Sequence, residues 1–120
     1  MHSIQFQIIP TRMIINQVTI DTSTREYDFT QQENTIILYY EDSKVDFKCL
    51  FYGCSDIDEI DASNLITYSA IHMQFMFYLC SSLTSLNLNN FNTENVVYMR
   101  SMFGFCSSLF SIDVSHFATP

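Results

Sequence analysis

A repeat marked by cysteine constrains this chain more than any other feature. Cys54, Cys80 and Cys106 are evenly spaced along the chain, and each is followed directly by Ser. The apolar residues after these cysteines fall into four matching columns: Ile57/Leu83/Leu109, Ile60/Leu86/Ile112, Ala62/Leu88/Val114 and Leu65/Phe91/Phe117. Self-similarity at a fixed period is the signature of repeat proteins, in which each unit completes its core only against its neighbours. The sequence therefore predicts a stack of units rather than one irregular core.

The two halves of each unit differ in periodicity. Residues 86–88 and 112–114 alternate apolar and polar side chains, which predicts a short strand with one buried face. Residues 96–106 place apolar side chains three and four apart, which predicts one or two helical turns. A Ser or Asn precedes each such stretch in a position suited to a helix N-cap: Ser43, Ser69 and Asn95. We therefore expect an α/β fold in which short parallel strands and short helical turns line a common core.

Residues 1–34 depart from the period and predict an N-terminal β cap. Apolar and polar residues alternate there in short segments, which favours one or two β-hairpins, one of them pairing 18–20 with 27–29. The repeat stack is expected to cover 35–120, with residues 35–40 as its first strand and about three repeats, the last one incomplete. An incomplete last repeat leaves apolar side chains and a strand edge uncovered, which predicts either that the chain is a fragment of a longer array or that it self-associates through that end.

The columns also predict the buried side chains. We assign to the core Phe51, Phe77, Phe103, Met76, Met102, Leu83, Leu86, Leu88, Cys54, Cys80 and Cys106. Free cysteine is among the residue types most often buried, so the cysteine column is expected to supply core thiols. Neighbouring units about 5 Å apart would also allow disulfides, an alternative that the sequence leaves open. Paired ligand spacings such as C-x2-C are absent, so we expect no metal site and no cofactor.

Two segments carry a more specific pattern. They are residues 73–93 (MQFMFYLCSSLTSLNLNNFNT) and residues 99–119 (MRSMFGFCSSLFSIDVSHFAT). They resemble the M-x-x-M-F-x-x-C-x-x-L-x-x-L-D/N-L-S-x-F-x-T repeat of BspA-like leucine-rich repeat surface proteins, which occurs in bacteria, mycoplasmas and protists. The resemblance covers about residues 36–119, and the first copy departs from it where Phe47 and Leu50 replace Met. It implies a leucine-rich-repeat solenoid and an adhesion role at the cell surface or after secretion.

Charge and composition argue against several other functions. The net charge is −8 with only 5 Lys and Arg, so we expect no nucleic-acid binding, which needs a basic surface. The 3 histidines share no motif with a nucleophile, and 2 glycines cannot form a phosphate loop, so we expect no enzyme. The acidic segment 56–61 lacks the Gly of a calcium loop and is expected to be a solvated face.

The sequence also bears on the membrane. No basic region followed by a long apolar run begins it, so no signal peptide is visible. The apolar stretch 70–80 is about half the length needed to cross a bilayer, so we expect no membrane insertion by this segment.

The outward-facing strand positions form the predicted partner surface, because extended repeat arrays present such positions as one continuous face. The candidate binding residues are Glu59, Asp61, Ser63, Ser85, Asn87, Asn89, Ser111, Asp113 and Ser115. Replacing Asn87 and Asp113 by Ala should weaken binding of a partner and leave circular dichroism and melting unchanged.

The sequence thus favours a non-enzymatic protein-interaction or adhesion module that binds a protein through its strand face. The alternative is a structural spacer or intracellular scaffold that associates through its uncapped C-terminal repeat. A hydrolase or thiol enzyme is the least favoured reading, because the chain offers no base beside a nucleophile.

Overall fold

A computed structural model describes residues 2–5, 10, 12–20, 26–29, 36–40 and 43–118. The strands among them are β1 His2–Gln5, β2 Arg12–Ile15, β3 Val18–Ile20, β4 Glu26–Phe29, β5 Ile36–Tyr39, β6 Glu59–Asp61 and β7 Ser85–Asn87. Everything else in those ranges is turn, isolated bridge or irregular chain, and none of it is helical. The strands divide into an N-terminal group, β1–β5, and a parallel pair, β6 and β7.

The N-terminal strands form two antiparallel sheets, β1-β4 and β3-β2-β5. A tight turn joins β2 to β3, and its residues Asn16 and Gln17 have positive φ values of 50° and 71°. Positive φ at both central residues matches the right-handed twist of the flanking strands, as in type I′ hairpins. The predicted pairing of 18–20 with 27–29 is wrong, because β3 pairs with β2 and β4 pairs with β1.

The strand β5 faces two environments. It pairs antiparallel with β2, so it joins the N-terminal sheet and does not pair in parallel with the repeats as their first strand. Ile36 and Leu38 pack against the buried cluster of the repeats, whereas Ile37 and Tyr39 are exposed. The guanidinium of Arg12 lies 3.9 Å from the centre of the Tyr39 ring. This sheet therefore covers one end of the repeat core; Thr35 lies outside the described residues.

The repeats comprise a first unit (43–68), a middle unit (69–94) and a last unit (95–118). Their strand halves meet in the parallel β6–β7 pair, in which Glu59 faces Ser85 and Asp61 faces Asn87. The ladder continues where the N–H of Ala62 donates to the carbonyl of Asn87 at 2.9 Å. The strand predicted at 112–114 is not formed, because in the described chain that segment makes no ladder with β7.

The half of each unit predicted to be helical is instead a run of turns. In the middle unit, alternate N–H groups donate to carbonyls of the last unit at 2.8–3.0 Å: Met73, Phe75, Phe77 and Leu79. The N–H groups of Met76, Tyr78 and Cys80 donate to the carbonyl three positions earlier, at 3.2–3.4 Å. The first unit bonds to the middle unit in the same way. An α-helix would keep its N–H groups within itself, whereas here half of them join neighbouring units.

Two columns in these turns have a left-handed backbone. One column comprises Cys49 (φ 61°), Phe75 (56°) and Ser101 (51°), and the other Gly53 (72°), Leu79 (63°) and Phe105 (56°). A positive φ at the third residue of a four-residue turn is the requirement of type II turns. Glycine adopts this conformation without strain, whereas other residues there cost about 1–2 kcal/mol each.

The core lies between the turns and the strands, where equivalent side chains of successive units stack. Phe51 and Phe77 have ring centres 5.5 Å apart at 13°, and Phe77 and Phe103 have centres 5.7 Å apart at 5°. Among the predicted core residues, those that are buried are Phe51, Cys54, Met76, Phe77, Cys80, Leu83, Leu88 and Met102. Leu86, Phe103 and Cys106 are only half-buried and pack against the others. The leucine-rich-repeat architecture itself stays a prediction.

Candidate functional site

The strand face places the predicted binding residues at the surface. Seven of the nine are exposed: Glu59, Asp61, Ser85, Asn89, Ser111, Asp113 and Ser115. Ser63 and Asn87 are half-buried. Because β6 and β7 pair in parallel, Glu59 lies beside Ser85 and Asp61 beside Asn87. Hydroxyl, amide and carboxylate groups of successive units therefore form strips across the face.

The strip that contains Asp61, Asn87 and Asp113 also has a structural role. Its side chains close the turn that follows β6, β7 and the equivalent segment of the last unit. The Asp61 carboxylate accepts hydrogen bonds from the backbone N–H and the hydroxyl of Ser63, at 3.0 and 2.6 Å. Asp113 accepts the same two bonds from Ser115 at 3.0 and 2.6 Å. Asn87 accepts one from the N–H of Asn89 at 3.0 Å. Replacing Asn87 and Asp113 by Ala should therefore lower stability, contrary to the expectation from sequence.

The same hydrogen bonds set the charge of the strip. Bonds from the Ser63 hydroxyl and N–H lower the pKa of Asp61 below its usual value. Bonds from the Ser115 hydroxyl and N–H, and the nearby His116, lower the pKa of Asp113 in the same way. A carboxylate that accepts hydrogen bonds is stabilised in its charged form. Both side chains consequently carry negative charge at neutral pH.

An open polar recess of about 330 Å³ borders the strand face at its far edge. It is lined by Asn89, Asn90, Phe91, Asn92, Thr93, Glu94, His116 and Ala118. Several of its polar groups already have protein partners: the Asn90 amide donates to the Ser63 carbonyl at 2.8 Å, and His116 Nε2 lies 2.9 Å from the Leu88 carbonyl. The recess is therefore a candidate extension of the face, with part of its hydrogen-bonding capacity used internally.

Two threonine side chains that hydrogen-bond between units were not predicted from the sequence. The Thr67 hydroxyl accepts from the N–H of Asn92 at 2.8 Å and lies 3.2 Å from that residue's carbonyl. The Thr93 hydroxyl accepts from the N–H of Ala118 at 2.8 Å. Both threonines are buried. Their equivalent positions in successive repeats were the available signal, and the hydrogen bonds indicate a structural role.

The turn side presents aromatic pairs that the sequence analysis also missed. Tyr52 stacks on Tyr78 with ring centres 5.3 Å apart, and His72 stacks on Tyr98 with centres 4.9 Å apart. Each pair joins equivalent positions of successive units. Such stacking adds to the contacts between units, and it gives His72 a packing role.

The cysteine column lies in the core and hydrogen-bonds between units. The Cys80 thiol lies 3.2 Å from the Phe51 carbonyl, and the Cys106 thiol lies 3.1 Å from the Phe77 carbonyl. Burial raises the pKa of both Cys54 and Cys80 to about 12. All four cysteines are free thiols here. Over the described part of the chain, no group of three or more His, Cys, Asp or Glu could hold a metal ion.

The described ranges also contain no helix long and apolar enough to span a bilayer. A family model described as "Mycoplasma protein of unknown function, DUF285" matches residues 20–120, which is most of the sequence. The chain therefore belongs to this family. No curated protein and no solved structure matches it.

Proposed function

We propose that this chain is a non-enzymatic protein-interaction module of the BspA-like leucine-rich-repeat type, and that it binds a protein partner through its strand face. The observation that carries the proposal is the parallel register of β6 and β7, which aligns Glu59 with Ser85 and Asp61 with Asn87. A surface built in this way widens by one strip with every added unit, which suits a large protein partner better than a small ligand.

The proposed solenoid fold is supported by contacts between equivalent residues. The rings of Phe51, Phe77 and Phe103 stack from one unit to the next, and lateral backbone bonds join the turns of the same units. In such an array each unit buries its apolar residues only against its neighbours. The cell-surface or secreted location belongs to the same proposal and rests on the resemblance of the repeat.

The chemistry of the face indicates the kind of partner. Glu59 and Asp61 give the first unit a negative strip, and Ser85 and Asn87 give the middle unit a neutral, hydrogen-bonding strip. The complementary surface would present positive charge opposite the first unit and peptide or amide groups opposite the middle unit. We therefore propose a partner whose contact surface is basic at one edge.

The test is a selection of random displayed peptides on the folded chain, followed by mapping with two surface variants. Ser85→Arg places a large cation at the centre of the strand face, where the neighbouring carboxylate of Glu59 can compensate its charge. Val97→Arg adds the same side chain on the turn side, where Val97 is 69% exposed. Most independent binders should lose about tenfold or more in affinity for Ser85→Arg, or roughly 1.4 kcal/mol, and keep their affinity for Val97→Arg.

The controls are the melting temperatures of both variants, which should equal that of the parent. Binders that lose affinity for Val97→Arg and ignore Ser85→Arg would place the interaction surface on the turn side and refute the proposal.

A further inference from the structure

Charge divides between the two sides of the repeat stack. The turn halves of the units (43–54, 69–80 and 95–106) contain more basic than acidic residues: Lys44, Lys48 and Arg100 against Asp46. The strand halves (55–68, 81–94 and 107–118) contain acidic residues and neither Lys nor Arg: Asp56, Asp58, Glu59, Asp61, Glu94 and Asp113. Because the core lies between the two halves, the turn side is basic and the opposite strand face is acidic, although the whole chain has a net charge of −8.

Two columns on these opposite sides have matching patterns. On the turn side, equivalent positions of the three units form what we call the basic column, which consists of Lys48, Gln74 and Arg100. On the strand face, equivalent positions form what we call the acidic column, which consists of Asp61, Asn87 and Asp113. Each column places an amide between two charges of one sign, and the sign is opposite in the two columns. The charged side chains of both columns are exposed, and the amides are half-buried.

The backbone gives the two columns the same spacing. In the turns, the N–H of Cys49 donates to the carbonyl of Gln74, and the N–H of Phe75 donates to that of Arg100, both at 3.0 Å. In the strands, Asp61 lies beside Asn87 in the parallel register of β6 and β7. Laterally bonded segments lie about 5 Å apart, so backbone positions two units apart are separated by roughly 10 Å on either side. The two charges of one column can therefore meet the two charges of the other at the same time.

We propose that the basic column of one copy of this chain docks on the acidic column of a second copy. In that pairing each carboxylate meets a cation, and the amide of Gln74 meets the amide of Asn87. The inference rests on the function proposed above and specifies the partner of the strand face. That partner has to present positive charge opposite Asp61 and an amide opposite the middle unit, and the basic column presents both.

The side chains of both columns have hydrogen-bonding capacity for this contact. Asp61 and Asp113 each accept bonds from one serine, but a carboxylate has about four acceptor sites, so each can also accept from Lys or Arg. The Gln74 side-chain oxygen is buried without a donor among the described residues, and its amide gains a hydrogen bond if a partner draws it outward. A single exposed ion pair contributes little to affinity, so the columns must act together.

The proposed contact is heterologous, because it joins different surfaces of two identical chains. Two strand faces brought together would oppose carboxylates with carboxylates, and two turn sides would oppose cations with cations. Like charges therefore disfavour both twofold arrangements. A heterologous pair leaves one strand face and one turn side free, so the association should continue beyond a dimer.

The test is sedimentation velocity of the reduced chain at about 0.15 M salt, where the Debye length of about 8 Å screens the net charges of two copies more than contacting pairs. Two variants replace each charge by the amide that the middle unit carries in the same column. Lys48→Gln/Arg100→Gln neutralises the basic column, and Asp61→Asn/Asp113→Asn neutralises the acidic column. The parent should sediment faster as its concentration rises, and in each variant alone the association constant should be lower by about tenfold or more.

A mixture of the two variants gives the sharpest result. The first variant keeps the acidic column and the second keeps the basic column, so the mixture should regain association as a one-to-one complex that does not grow further. The matched control is Glu94→Lys, which lies outside both columns and changes the net charge by as much as Asp61→Asn/Asp113→Asn does. It should associate as the parent does. Melting temperatures check that the variants stay folded, which is expected because Asn87 already closes the same turn with an amide.

Three results would overturn the proposal: a parent that stays monomeric, a loss of association in one variant but not the other, or a mixture that fails to associate. In any of these cases, displayed-peptide binders that still lose affinity for Ser85→Arg would show that the strand face binds a different protein. The identity of the partner would then be wrong, and the function proposed for the strand face would stand. Binders that ignore Ser85→Arg would refute that function as well.

Discussion

The middle and last units have nearly the same apolar pattern and very different burial. Phe77, Cys80 and Leu83 are 0% exposed, whereas their counterparts Phe103, Cys106 and Leu109 are half-buried. The difference lies in the neighbours, because among the described residues the middle unit is covered on both sides and the last unit on one side only. In a repeat stack, the contribution of a side chain to folding stability thus depends on the position of its unit in the stack as much as on the residue type.

The largest expected effect is in the phenylalanine column, and it tests the difference in burial between the middle and last units. Phe77→Ala should lower the free energy of unfolding by about 3–5 kcal/mol, because it opens a cavity between two stacked rings. Phe103→Ala should cost clearly less, because within the described part of the chain the Phe103 ring stacks only on Phe77. Denaturant unfolding of both variants measures the difference. Equal losses would mean that the last unit is as well covered as the middle one.

The cysteine column gives a second contrast, through alkaline pH. Burial raises the pKa of Cys80 to about 12, above the value of roughly 8.5 for a free thiol. The contribution of the neutral Cys80 thiol to the free energy of unfolding is therefore complete below about pH 8.5. It is lost as the pH rises from there through the folded-state pKa. Between pH 8 and 10, the free energy of unfolding should therefore fall less in Cys80→Ala than in the parent. Cys106→Ala should reduce that fall by a smaller amount, because burial raises the pKa of the half-buried Cys106 less strongly.

A labelling experiment provides the control for that contrast. Because thiolate formation and access govern reactivity, an alkylating reagent should modify Cys106 of the folded chain before Cys80, as mass spectrometry of peptides can record. Modification of Cys80 first would show that Cys80 is not the more buried of the two thiols.

Substitutions at the positions with positive φ should have smaller effects on stability. They test whether the units share one backbone conformation. Gly53→Ala should cost about 1–2 kcal/mol, because φ is 72° and an added Cβ meets no atom within 4 Å, so only the backbone conformation opposes it. Ser101→Gly in the last unit, where φ is 51°, should gain about 1 kcal/mol. Thermal or denaturant unfolding measures both. A loss of stability in Ser101→Gly would indicate that the last unit does not adopt this turn.

The smallest expected effect is on the loss of stability at acidic pH. The middle unit closes its strand turn with the amide of Asn87, and the last unit with the carboxylate of Asp113. Because hydrogen bonds from Ser115 lower the pKa of Asp113, its contribution is present above about pH 4 and is lost as the pH falls through the folded-state pKa. Asp113→Asn should therefore reduce the fall in melting temperature between pH 5 and 3. An unchanged acid profile would show that this hydrogen bond contributes little.

Part of the candidate site could be read from the sequence, because the columns that separate buried from exposed residues follow directly from the repeat. Ser85, for example, lies between the buried Leu83 and the half-buried Leu86, and its exposure follows from the alternation. The internal roles of Asp61 and Asp113 did not follow, since a polar residue after a strand serves equally well for a partner or for a turn. Only the distances to Ser63 and Ser115 distinguish the two.

The sequence by itself determined the period of the repeat and which side chains share a column, because a repeated pattern of apolar residues needs no knowledge of the backbone path. The tertiary structure decided that path. Spacings of three and four suit a helix, but Phe47, Leu50, Phe51 and Cys54 are also all buried by a run of turns. The turns prevail because alternate N–H groups can then bond to the neighbouring unit. That choice depends on residues one whole repeat away along the chain, which no local pattern contains.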